Sequence, residues 1–102
     1  MTSEFARNSL ISLRFEVFGK VQGVFFRKYT RDKAIKLGLK GFVQNTESGT
    51  VIGMVEGNRD KVDEMKEWLT KTGSPSSKVD KCVFSQEKKI EQSQYKDFSI
   101  HR

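Results

Sequence analysis

The sequence predicts an α+β fold of order β-α-β-β-α-β, with a short extra strand at the C-terminus. Three observations carry this. Ile11, Leu13, Phe15 and Val17 alternate with Ser12, Arg14 and Glu16, the period of a half-buried strand. Phe26, Thr30, Ala34 and Leu37 fall at helical spacing, as do Val62, Met65 and Leu69 further on. Between those helical stretches stand two short apolar runs, 41–45 and 51–56, separated only by turn residues.

Each element follows in order. Residues 1–9 are mixed and polar and read as a flexible N-terminal tail; the domain proper is expected over 10–102. The first strand begins at Leu10. Gly19-Lys20-Val21-Gln22-Gly23 is a short loop, and the first helix follows and stops at Gly38. Gly41 to Asn45 reads as the second strand, Thr46-Glu47-Ser48-Gly49 as a turn, and Val51 to Glu56 as the third strand. Asn58 is a suitable cap for the second helix, which carries Trp68 beside Leu69 and ends at Gly73. Ser74-Pro75-Ser76-Ser77 is loop, Val79 to Ser85 a fourth strand, and Phe98 to Ile100 a short last one. The polar run Gln86 to Gln94 reads as a turn or loose extension. This order is the split βαβ, ferredoxin-like sandwich: an antiparallel sheet with two helices on one face. The fold hosts many activities and names none of them.

Size and composition narrow the function. A chain of 102 residues with 35% hydrophobic residues, eight of them Phe, fits one compact domain. No apolar stretch approaches the roughly 18 residues of a membrane span, and residues 1–9 lack the apolar run of a secretory signal. One cysteine, Cys82, excludes an intrachain disulfide and fits a reducing cytoplasmic setting. A monomer is the default expectation. The net charge of +6 favours anionic partners without choosing among phosphorylated metabolites, nucleic acid and membrane.

The loop before the first helix carries the most chemistry. Gly19 and Gly23 let the backbone curl and turn several N–H groups to one side, a shape that binds anions. The helix that follows opens with Val24, Phe25 and Phe26, none of them a side-chain cap. Its free N–H groups and positive dipole end would face the same anion. Arg27 lies in the first turn, and a guanidinium grips two phosphate oxygens at once. By spacing alone the run reads equally as a tight turn, with Arg27 a solvated charge. Lys20 adds attraction or points to solvent. Asn45 at a strand end is ordinarily structural.

Two longer runs weigh against the bland readings. Gly19-Lys20-Val21-Gln22-Gly23-Val24-Phe25-Phe26-Arg27 closely resembles the first signature of the acylphosphatases. Gly41-Phe42-Val43-Gln44-Asn45-Thr46-Glu47-Ser48-Gly49-Thr50-Val51, followed by Gly57, resembles the second, at the family's spacing. Ser74-Pro75 and Phe98-Ser99-Ile100 are also similar, so the resemblance runs from Leu10 to Arg102. It implies a cofactor-free, metal-independent hydrolase that splits acyl phosphates into carboxylate and inorganic phosphate. The implied phosphate ligands are the amides of Gly19, Lys20, Val21, Gln22, Gly23, Val24 and Phe25, with Arg27. Asn45 would position the attacking water and Thr46 would help hold Asn45. Inorganic phosphate and sulfate would compete. Phe42 stands where Trp is common, and His101-Arg102 departs from the usual ending.

Other chemistries fit worse. One Cys and one His do not make a zinc cluster. Cys82 reads as strand packing, His101 as incidental, and Asp60, Asp63 and Glu64 as complements to a helix dipole. An RNA-binding module of the same fold is the rival reading. Lys40-Gly41-Phe42 begins like an RNA-binding signature and then departs from it, and Phe15 and Phe18 would have to stack bases. The expectation is a small-molecule acyl phosphate as partner, with no nucleic acid and no membrane.

Overall fold

The computed structural model describes residues 9–102. The expected tail, apart from Ser9, lies outside the described residues. The Ser9 carbonyl accepts the Arg59 N–H at 3.1 Å.

Strand β1 (Leu10–Lys20) turns Ile11, Leu13, Phe15 and Val17 inward, where all are buried. Strands β2 (Lys40–Asn45) and β3 (Val51–Asn58) form the expected antiparallel hairpin. Helix α1 (Phe26–Lys36) buries Phe26, Thr30 and Ala34, which the 3.6-residue period brings onto one side. Helix α2 (Arg59–Glu67) buries Val62 and Met65, then widens into one π-helical turn, Trp68–Thr72, that buries Leu69. Both helices share one core with the inward face of β1. Phe26 of α1 meets Trp68 with ring centroids 5.7 Å apart. Each large side chain buried here contributes about 1.5–3 kcal/mol. The helices therefore sit against one face of the sheet, as the apolar periods predict.

The sheet order is β4-β1-β3-β2-β5. Two features depart from expectation. Strand β4 (Lys78–Ile90) runs on past Ser85 and pairs with β1 as far as Leu10↔Ile90, so part of the polar run 86–94 is strand. The register shifts between Ser12 and Arg14, so that Gln86 and Glu87 together oppose Leu13 in a bulge, with Gln86 at φ 54°. As an edge strand β4 is largely exposed, which explains why it shows no apolar alternation there.

The second departure is β5 (Phe98–His101), which pairs with β2 in parallel, so the sheet is mixed. The reason is direction. Strand β4 runs against β1 and β2, and a chain that doubles back after it must run with them. To reach the far edge, residues 91–97 cross the face opposite the helices. Gln94 N–H donates to Glu56 Oε1 at 2.8 Å on the way. On that face Glu56 and Ser12 are both buried, although the strand period alone would leave them in water.

Candidate active site

The loop 21–25 connects β1 to α1 and is held from three sides. Val21 and Val24 are buried beneath it. The Gln22 side-chain amide donates to the carbonyls of Thr46 at 2.9 Å and Thr50 at 2.8 Å, tying the loop to the β2–β3 turn. Ser74 Oγ, buried, donates to the Val24 carbonyl at 2.9 Å. Gly19 enters the loop at φ 129°, and a Cβ there would collide with the Lys78 carbonyl of β4, so the close approach requires glycine. The loop backbone is thus fixed before any ligand arrives.

Helix α1 begins without a side-chain cap. Its N-cap residue is Phe25, in the left-handed region at φ 59°, ψ 26°, and the first turn contains no acidic residue. The first N–H groups of a helix have no acceptor within it. Arg27 follows, half-buried, with Nη1 donating to the His101 carbonyl at 3.4 Å. That contact links α1 to the last strand.

A cleft of about 480 Å³ opens beside the loop. Val21, Gly23, Phe25 and Arg27 line one side, and Asn45 reaches it from the end of β2. Asn45 Oδ1 is buried and accepts no hydrogen bond from the described residues. Thr46 bonds into the turn: its Oγ1 accepts the Thr50 N–H at 3.1 Å and lies 2.7 Å from Thr50 Oγ1. Thr50 Oγ1 in turn donates to Glu16 Oε2 at 2.7 Å. The turn is thereby locked, and Asn45 sits at the strand end that the lock stabilises.

Some predicted site residues stand apart. The Lys20 side chain is exposed and does not line the cleft, and Gln22 points its amide at the turn. Lys28, Arg31, Ile100 and Arg102 also line the cleft, although the sequence reading gave none of them a place in the site. Ile100 and Arg102 arrive there only through β5. Asp32 bonds Lys28 at 3.1 Å and Arg31 at 3.5 Å. The Lys28 hydrogen bond holds its carboxyl below the usual range, and Arg31 adds to this. Ser74 could have been found from the Ser-Pro resemblance, but its partner is 50 residues away.

Burial pushes the Cys82 thiol up to about 12, so it stays protonated and is a poor nucleophile. The His101 ring stacks on Phe42 at 4.5 Å and 7°. Among the described residues, no three metal-ligating side chains cluster, and no helix is long and apolar enough to cross a membrane. Of the two rings that the RNA reading calls on, only Phe18 is half-exposed. Phe15 is wholly buried, Phe42 lies between His101 and Tyr95, and Phe18 sits under Lys81 at 4.8 Å.

Fold and site together define a small α+β domain whose first βα loop, first helix start and second strand end converge on one cationic cleft. Comparison with known proteins is specific. The acylphosphatase family model matches residues 13–100. Acylphosphatase-2 of Homo sapiens is 56% identical over 92 residues, covering 90% of this chain and 93% of that protein. The crystal structure of acylphosphatase from Bacillus subtilis superposes with a TM-score of 0.83 at 34% identity, covering 90% of this chain and 99% of that one. An acylphosphatase from Coxiella burnetii gives 0.80 at 35%, with 91% and 94% covered. The chain belongs to the acylphosphatase family.

Proposed function

We propose that this chain performs its family's reaction, hydrolysis of the carboxyl–phosphate bond of acyl phosphates, by in-line attack of a water on the phosphorus. The loop amides 19–25 and the Arg27 guanidinium hold the phosphoryl oxygens. Asn45 orients the water. One observation carries this reading: the uncapped start of α1, Arg27 and the unpartnered Asn45 Oδ1 all meet in one cleft.

The chemistry asks little more of the protein. Phosphoryl transfer is mostly positioning and charge stabilisation. As water oxygen bonds to phosphorus, the bond to the acyl oxygen breaks and its electron pair leaves on the carboxylate. A carboxylate departs without a proton, so no general acid is needed. The water's proton passes to a phosphate oxygen. Arg27 and the amides meet the charge as it shifts among the equatorial oxygens. Nothing in this sequence of steps calls for a metal or cofactor, and a monomer suffices because every group comes from one chain. The single unreactive thiol suits a reducing compartment such as the cytoplasm.

The test is hydrolysis of benzoyl phosphate by the purified protein in excess EDTA. Turnover is expected. Asn45→Ala should lower kcat by about 100- to 1,000-fold, the cost of one preorganised group, while inorganic phosphate still inhibits within a few-fold of wild type. Loss of phosphate inhibition in that variant would assign Asn45 a structural role. Absence of turnover in the folded wild type would sink the reading.

A further inference from the structure

Phe25 is anomalous in two ways at once. Its backbone is left-handed at φ 59°, a conformation a bulky side chain rarely adopts. Its side chain is 73% exposed, the highest value among the large hydrophobics left in solvent. The next residue, Phe26, is buried in the core, so the chain turns one ring in and the other out. Glycine would take this backbone freely, as Gly23 does at φ 74° in the same loop. The fold alone therefore gives no reason for an aromatic at this position. Strain and exposure of this kind concentrate where a ligand is bound.

The ring lines the cleft that holds Arg27 and Asn45, and Ile100 of β5 lines it as well. In the reading above, Arg27 and the loop amides engage the phosphate and Asn45 the water. The apolar surface of Phe25 and Ile100 has no role there. An acyl phosphate seated on the loop necessarily places its acyl group in the same cleft. We propose that Phe25, with Ile100, contacts the acyl group and determines specificity, favouring aromatic or extended apolar acyl phosphates over acetyl phosphate.

This rests on the acyl phosphate hydrolase reading, and the test separates the two. Measure kcat/KM for benzoyl phosphate and for acetyl phosphate in wild type, Phe25→Gly and Phe25→Tyr. Any disturbance of the loop amides acts on both substrates and cancels in the ratio. The benzoyl-to-acetyl ratio should fall about tenfold in Phe25→Gly, at the low end for one apolar contact, and stay within about twofold of wild type in Phe25→Tyr, which keeps the ring. Phe25→Gly should melt no lower than wild type, since glycine relieves the left-handed strain. An unchanged ratio in Phe25→Gly, with wild-type turnover intact, overturns the assignment. A clear drop in melting temperature with an unchanged ratio does so too, and makes the ring structural. No turnover of either substrate by wild type overturns the hydrolase reading and this proposal with it.

Discussion

The two helix starts of this domain face the same physical problem and meet it in opposite ways. Both α1 and α2 begin with N–H groups that have no intrahelical acceptor and with the positive end of a helix dipole. Neither has a side-chain cap; Asn58 holds the N-cap position of α2, in extended conformation, but its side chain makes no cap bond. At α2 the chain supplies acceptors of its own. The Ser9 carbonyl takes the Arg59 N–H, and Asp60 Oδ1 takes the Lys61 N–H at 2.9 Å. The Arg59 guanidinium is paired with Glu87 at 3.1 Å. At α1 the first turn has no acid, and it presents Arg27 toward a cleft instead. A start that neutralises itself is structural. A start that gathers more positive charge is arranged for an anion from outside.

That contrast can be broken at several points. The largest effect is expected at Arg27. Removing it in Arg27→Ala should cost about 100- to 1,000-fold in kcat/KM. Arg27→Lys should cost nearly as much, because an ammonium keeps the charge and loses the two-point geometry. Steady-state kinetics on benzoyl phosphate decide this; a lysine variant within a few-fold of wild type would leave charge alone as the explanation.

A smaller effect follows from making α1 resemble α2. Lys28→Glu places a carboxylate in the first turn of α1, where it complements the dipole and competes with phosphate. Inhibition by inorganic phosphate should weaken about two- to fivefold at low ionic strength, and less at high salt. An effect independent of salt would argue against the electrostatic account.

The smallest effect is expected at α2. Asp60→Asn should lower stability by about 0.3–1 kcal/mol in urea denaturation and leave hydrolysis unchanged. Reduced hydrolysis in this variant would mean the two helix starts are not separate in function.

The sequence by itself determined most of the elements and the tight turn of the loop. Ile11 to Val17, Phe26 to Ala34 and Val62 to Leu69 announce themselves because burial on one face leaves a period in the chain, and period is a local property. Gly19 and Gly23 are legible for a similar reason: their φ values of 129° and 74° are backbone demands that only certain residues meet well. Asn45 was legible only through resemblance, since an asparagine at a strand end is ordinary on its own.

Tertiary structure decided what distant segments do to one another. Strand β4 extends through polar residues because its pairing partner, the start of β1, lies about 80 positions away in the chain. Strand β5 joins β2 in parallel because the crossing 91–97 carries it to the far edge, and only then do Ile100 and Arg102 enter the cleft. Gln22 reads as a loop residue in sequence, and its clamp on Thr46 and Thr50 exists only when the hairpin is folded beside it. Phe25 and Phe26 are identical neighbours in the chain. The helical period of Phe26, Thr30 and Ala34 already says which ring is buried; that the other stands in a cleft beside Arg27 and Asn45 is decided only when β2 is folded next to the loop.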